Sequence, residues 1–380
     1  MNFSISRETL QVNLSKVISI IPSKSTFTVL QNILFEAGKN RLSIQGTDLE
    51  VFIKRDFTCE IAQEGRIMVP GKKILEILRE TKEEFIKFSM TGQVLKIEAG
   101  KSLFSIPYLD PQEFPEMPKL PTKTWFKIEA NQLNEVVIST IFSVARDVAK
   151  GAMTGLFVQQ KNKELRMVST DGHRLAFVKH TPPKAEFKSS GRNEIIVPPK
   201  VFELMGDIAE NETVEVRIGE ESKGEESLIG FSFANTTIVS RVIQGPFPDY
   251  EKVIPSSFSG EVKIEKEILE GALRRIVLFS NHFTKAVRFS FPAPDTLNIY
   301  AATPDIGEAK EDVSCSYQGS EMTIGYNAAY FLEILRHIVS KEISINFTSP
   351  STATLVKQSG EAEAGTEKIY LIMPLRIESW

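Results

Sequence analysis

Three stretches of the chain open with one pattern: a short alternation of apolar and polar residues that runs directly into apolar residues spaced three and four apart. They are residues 3–10, 126–133 and 262–269. Alternation predicts a half-buried strand, and the longer period predicts a helix with one apolar face. Leu10, Leu14, Val17 and Ile18 share the face of the first helix. Leu133, Val137, Ile141 and Val144 share that of the second, and Leu269, Leu273, Ile276 and Val277 that of the third. Further along, each segment carries an alternating strand that ends in an acidic turn, at residues 42–48, 165–171 and 297–305. A strand then leads into a second helix, at residues 67–75, 195–202 and 322–329. Proline stands at the first turn in two of these, and Asn327 can cap the third. Further alternating strands follow at 85–89, 214–218 and 343–347.

The threonines of the acidic turns, Thr47, Thr170 and Thr303, lie 123 and 133 residues apart. A period this long indicates repeated domains, because solenoid units run to about 20–50 residues. Proline-rich joints fall between the repeats, at 110–121 and 245–255. The pattern predicts an α+β fold of three similar domains, 1–121, 122–255 and 256–380, each with two helices and about eight strands. Residues 219–230, rich in Glu and Ser, read as an exposed hairpin loop.

Composition narrows the function. The chain has 380 residues, 42% hydrophobic and 25% charged, enough apolar material for several cores. Lys and Arg number 45 against 49 Asp and Glu, which excludes a protein that holds nucleic acid by bulk charge and leaves room for a local basic surface. Cys59 and Cys315 stand alone, so neither a disulfide framework nor a cysteine zinc site is expected, and a reducing cytoplasm fits. No basic and apolar leader opens the chain, and no apolar run is long enough to span a bilayer.

Catalytic signatures fail one by one. Ala99-Gly100-Lys101-Ser102 resembles the end of a phosphate-binding loop, but Leu95 stands where the motif needs glycine, and strands flank it where a helix is required. His173, His180, His282 and His337 have no metal-ligand spacing, so no metal and no cofactor are expected. Asp171-Gly172-His173-Arg174, with Ser169 beside it, invites a hydrolase reading. Contiguous residues on a strand end cannot assemble a triad, and Asp-Gly makes a turn there. No enzyme is expected.

Residues 169–176, Ser-Thr-Asp-Gly-His-Arg-Leu-Ala, are joined by Phe247-Pro248-Asp249-Tyr250, by Val253-Ile254-Pro255 and by the terminal tract 370–377 around Met373-Pro374-Leu375-Arg376. Together, in order and with all three repeats, they closely resemble the bacterial DNA polymerase III beta subunits, the sliding clamps. Thr28 departs from the proline usual in that family. The resemblance implies a DNA clamp fold with helices lining a ring and sheets outside. It implies a cytoplasmic homodimer, joined head to tail, that encircles double-stranded DNA without regard to sequence and gives a polymerase its processivity. Its partners would be the polymerase catalytic subunit, the clamp loader and repair proteins, docked as short linear peptides in a hydrophobic cleft.

Carried over by motif, the cleft comprises Met153, Thr170, Gly172, His173, Arg174, Leu175, Pro248, Val253, Asn327, Tyr330, Met373, Pro374, Leu375 and Arg376. The subunit contact implied by resemblance sets Ile74, Leu78, Phe104 and Ile106 against Leu278 and Phe279. Lys24, Lys72, Lys73, Lys150, Lys200, Arg274 and Arg275 lie on or beside the predicted helices and are the expected DNA contacts. The same helices carry Glu76, Glu80, Glu203 and Glu270. The alternative is a peptide-binding scaffold that never encircles DNA.

Overall fold

The computed structural model describes residues 1–22, 25–182, 186–187, 193–206, 208–219, 227–360 and 365–376. Lys24, the loop residues 220–226 and Trp380 lie outside the described residues. Six α-helices occur among those described: α1 (Arg7–Ile18), α2 (Gly71–Glu80), α3 (Ala130–Ile141), α4 (Pro199–Leu204), α5 (Lys266–Ile276) and α6 (Ala328–Arg336). α2 and α4 start at proline, and α1 and α6 start at a side-chain cap. Ser6 accepts a hydrogen bond from the Thr9 amide at the head of α1, and Asn327 accepts from Ala329 and Tyr330 at the head of α6. One stripe of each helix is buried: Leu10, Asn13, Leu14 and Val17 on α1, Ile74, Leu75 and Leu78 on α2, and Leu269, Ala272, Leu273 and Ile276 on α5. Ile18 is only half-buried, and the polar Asn13 takes a buried place by donating to the Thr9 carbonyl. Val144 falls beyond the end of α3, and Val277 opens a 3-10 turn after α5.

The chain forms two compact units. The first comprises Met1–Asn131, Ala185–Arg192 and Val197–Val242, the second Gln132–Lys184, Asn193–Ile196 and Ile243–Trp380. In the first unit a five-stranded sheet runs in the order Glu60–Gln63, Asn2–Ser6, Phe85–Thr91, Val94–Ala99, Ser102–Pro107. A nine-stranded sheet contains Lys123–Glu129, Thr213–Ile218, Leu228–Phe233 and Thr236–Arg241, followed directly by Val51–Thr58, Arg41–Thr47, Ile33–Gly38 and Gly65–Val69. Here strands of the second repeat continue into strands of the first, through Val51–Thr58 paired antiparallel with Thr236–Arg241.

The second unit repeats the device. Its nine-stranded sheet joins Leu156–Lys161, Glu164–Thr170 and Arg174–His180 to Thr366–Ile372, Thr354–Gln358, Glu342–Phe347 and Gly260–Glu265, with Arg174–His180 antiparallel to Thr366–Ile372. A four-stranded sheet runs in the order Gly307–Ser314, Thr296–Thr303, Ala286–Ala293, Thr323–Asn327. Three sequence repeats therefore give two units, because the strands of the central repeat divide between the two nine-stranded sheets.

Aromatic packing fills both interiors. Phe3 stacks on Phe88 with centroids 4.7 Å apart in the first unit, and Phe289, Tyr326 and Phe331 meet edge-on or tilted in the second. Each such side chain contributes about 1.5–3 kcal/mol on burial. Among the described residues, no helix is long and apolar enough to cross a membrane.

Candidate functional site

The acidic turns of the first two repeats are built alike, hydrogen bond for hydrogen bond. Thr170 Oγ1 donates to the Arg174 carbonyl (2.7 Å) and accepts from the Gly172 amide (3.1 Å). Asp171 Oδ1 accepts from the amides of His173 (2.9 Å) and Arg174 (3.0 Å). In the first repeat Thr47 Oγ1 donates to the Val51 carbonyl and accepts from Leu49, while Asp48 Oδ1 accepts from Glu50 and Val51. The third position of the turn has positive φ in both, +85° at Gly172 and +79° at Leu49. In the third repeat Pro304 changes the turn, and Thr303 Oγ1 donates instead to the Phe279 carbonyl.

Around the second turn the structure gathers most of the motif residues, all within one unit. The Met373 amide donates to the His173 carbonyl (2.8 Å), and the Leu375 amide to the Gly325 carbonyl (2.8 Å), so the terminal tract is held beside the turn. His173 is exposed and stacks on Tyr330, centroids 6.1 Å apart. Apolar surface lies next to these polar groups. Leu175 is packed with Phe157, Phe177, Tyr250, Leu355 and Leu371, and Ala152, Phe247 and Ile254 close over that cluster. Val253 is 50% exposed and Met373 41%. Pro248 and Arg376 are exposed, while Met153, Pro374 and Leu375 are half-buried.

Three of the predicted contacts have other duties. Leu175, 5% exposed, is core rather than an open wall. The Asn327 side chain caps α6. Arg174 is 7% exposed, and each of its guanidinium nitrogens donates within the chain: Nε to Asp171 (3.1 Å), Nη1 to Glu333 (2.5 Å) and Nη2 to the Phe142 carbonyl (2.9 Å). Glu333 and Phe142 were invisible to the motif, since they lie 159 and 32 residues from Arg174. No catalytic arrangement forms here. Ser169 is fully buried with its hydroxyl on the Thr140 carbonyl, and Asp171 is engaged by its own turn and by Arg174.

Three domain models of the DNA polymerase III beta subunit match the chain: the N-terminal domain over residues 1–118, the central domain over 127–249 and the C-terminal domain over 251–376. The chain belongs to the DNA polymerase III beta subunit family. It is 29% identical to the beta sliding clamp of Pseudomonas putida over 381 residues, covering 99% of this chain and 100% of that one. Identity to the beta sliding clamp of Chlamydia muridarum is 26%, covering 99% of each. The Pseudomonas aeruginosa sliding clamp solved bound to griselimycin superposes with a TM-score of 0.90 at 28% identity, covering 99% of this chain and 100% of that one. The fold is accordingly the three-domain sliding clamp fold, α+β with many strands and several helices.

Within this family member, the remaining predicted residues divide sharply. Lys72 and Lys150 are exposed, and neither forms an ion pair among the described residues. Lys150 also approaches the candidate site, its ammonium 3.9 Å from where a Cβ on Gly172 would sit. Lys73 pairs with Glu76 (2.5 Å), Arg274 with Glu270, and Arg275 with Glu311 (2.5 Å). Lys200 donates to Asp48 (3.0 Å) and to the Ile20 carbonyl (3.0 Å), so its charge braces the first acidic turn. Ile74 and Leu78 lie on the buried face of α2 with no exposed surface, and Ile106 is 9% exposed, so all three pack into the core of their own unit. Phe104 and Phe279 are half-buried, and Leu278 is 69% exposed. Leu103, 60% exposed, was missed although alternation with buried Ile106 points it outward.

Proposed function

We propose that the chain is a DNA polymerase processivity factor that works as a homodimeric ring around duplex DNA. The observation that carries this reading is a pair of unused strand edges. In the first two repeats, the strand following the acidic turn pairs with the final strand of the next repeat: Val51–Thr58 with Thr236–Arg241, and Arg174–His180 with Thr366–Ile372. The third repeat's counterpart, Gly307–Ser314, ends its four-stranded sheet, and the first repeat's final strand, Ser102–Pro107, ends its five-stranded sheet. By the same rule these two edges pair with each other, supplied by different copies. Two copies joined head to tail leave neither edge open and close a ring, which also removes an aggregation hazard. Exposed Leu103 and Leu278 stand beside the two edges and supply apolar contact there.

On this reading the domains are 1–121, 122–255 and 256–380, with helices toward the duplex and sheets outside, and the protein is cytoplasmic and non-catalytic. DNA is held topologically. Weak phosphate contacts through Lys72 and Lys150 suffice, and the paired cations Lys73, Arg274 and Arg275 keep the inner surface from gripping. The polymerase catalytic subunit, clamp loader and repair proteins dock as short peptides on the apolar surface around Val253, Met373, Leu375 and His173. Burying two large apolar side chains there, less the cost of ordering, corresponds to roughly micromolar affinity.

The test uses nicked circular DNA. The protein is loaded by its cognate loader with ATP, the complex isolated, and the circle cut once. Release from the linear product with retention on the intact circle is expected. Equal retention on both means that the protein holds DNA by direct contact and that no ring encloses it.

A further inference from the structure

A continuous stack of rings and one cation runs through the second unit into the candidate site. His337, at the end of α6, lies parallel to Phe142 with centroids 4.2 Å apart. The Arg174 guanidinium covers Phe142 at 5.4 Å and Tyr330 at 4.6 Å, and Tyr330 stacks in turn on His173. His173 is also the residue whose carbonyl receives the Met373 amide. The stack thus ends on the surface where the apolar side chains Met373 and Val253 stand exposed.

Two residues hold the stack in register without reaching that surface. Glu333 is three positions after Tyr330 on α6, hence on the same helix face, and its carboxylate fixes Nη1 of Arg174. Phe142 fixes Nη2 through its carbonyl and offers its ring to the cation. A guanidinium held at three corners has one orientation, so the ring lying against it has one as well. Without Glu333 the guanidinium keeps Asp171 and the Phe142 carbonyl, two acceptors on one side, and is free to tilt off Tyr330.

We propose that Glu333 and Phe142 are positioning residues for partner binding: through Arg174 they set the Tyr330 ring and the 170–173 turn against which a bound peptide rests. This rests on the peptide-docking reading above and assigns it two residues that the motif does not contain. Arg174 itself acts here as a buried strut.

The experiment measures griselimycin binding to the full-length protein by titration calorimetry, with thermal unfolding recorded for every variant. Glu333→Ala weakens binding about tenfold, the size expected for one lost hydrogen bond to a charged group. Glu333→Gln, which keeps an acceptor at the same reach, recovers about half of that loss on a logarithmic scale. Glu333→Ala leaves Nη1 of buried Arg174 without its partner and is expected to unfold a few degrees below the parent, with Glu333→Gln between the two, so binding is measured well below every midpoint. In an Arg174→Met background, Glu333→Ala adds less than twofold, because its route to the site is already gone. Parent-like binding by Glu333→Ala, or a full additive loss in the Arg174→Met background, overturns the proposal. Met373→Ala combined with Leu375→Ala separates the two readings. If this pair abolishes binding while Glu333→Ala does not, docking stands and the positioning role falls. If the pair binds as the parent does, the docking surface itself is wrong, and the positioning role falls with it.

Discussion

Leu49 and Gly172 occupy the same corner of the same hydrogen-bonded turn, yet only one of them suits it. A Cβ at φ of +79° costs roughly 1–2 kcal/mol, and Leu49 bears that cost because Thr47 accepts from its own amide and Asp48 from those of Glu50 and Val51. Leu49→Gly is therefore expected to raise stability by about 1 kcal/mol in urea unfolding, and Gly172→Ala to lower it by about as much. Equal destabilisation by both would mean that the Leu49 side chain contributes more packing than its turn costs. Two histidines supply a second residue-scale effect. Burial pushes the imidazoles of His180 and His337 below their ordinary value of 6.5. At His337 the Glu333 carboxylate opposes the shift, while Arg174, Arg336 and Lys368 add to it. At His180, Glu135 opposes and Lys368 adds. The unfolded chain thus takes up these protons first, and stability falls as pH drops. It is present in full above about 6.5 and declines below it. Urea midpoints at pH 7.5 and 5.5 should show this decline, and His180→Gln with His337→Gln should flatten it.

At the scale of elements, periodicity was a good guide wherever one face meets the core and the other meets water. All three opening strand–helix pairs, both proline-led helices and the helix capped by Asn327 stand where alternation and spacing put them. The pattern could not say which apolar positions lie on a unit's surface, because a core leucine and an interface leucine read the same. Ile74 and Leu78 follow the helical stripe into the core, whereas Leu103, three positions before buried Ile106 on one strand, lies on the opposite face and stands outside. The site was legible in the same uneven way. The turn residues and Met373-Pro374-Leu375-Arg376 come together, but the partners that fix Arg174 come from elements far away in sequence, where no local pattern points. These assignments predict opposite phenotypes. Ile74→Ala should cost about 2–5 kcal/mol of stability as a cavity mutation. Leu103→Asp with Leu278→Asp should leave unfolding nearly unchanged and turn a dimer into a monomer by light scattering. A dimer that survives both aspartates would remove the two strand edges from the subunit contact.

For the whole molecule, the charge balance and the ion pairs bear on one question: how the proposed clamp, with 45 basic and 49 acidic side chains, would stay on a polyanion. Direct attraction is a poor answer. Of the six candidate DNA contacts among the described residues, Lys73, Arg274, Arg275 and Lys200 have carboxylate partners, which leaves Lys72 and Lys150. With two phosphate contacts per copy and about four per ring, log affinity for a short linear duplex should fall against log salt with a slope no steeper than about −4. A ring answers differently, because its lifetime on a closed circle depends on how often a subunit contact opens. That contact is expected to be built from strand pairing and from Leu103 and Leu278, which salt does not weaken. Binding to linear duplex and residence on nicked circles should therefore part company between 50 and 200 mM salt. Affinity for the linear fragment should drop by well over tenfold, while the half-life on circles changes by less than twofold. Gel filtration of loaded circles beside fluorescence anisotropy of a short duplex makes the comparison. If the two decline together, the same contacts govern both and the chain holds DNA electrostatically; if only the linear affinity falls, enclosure is what keeps it there.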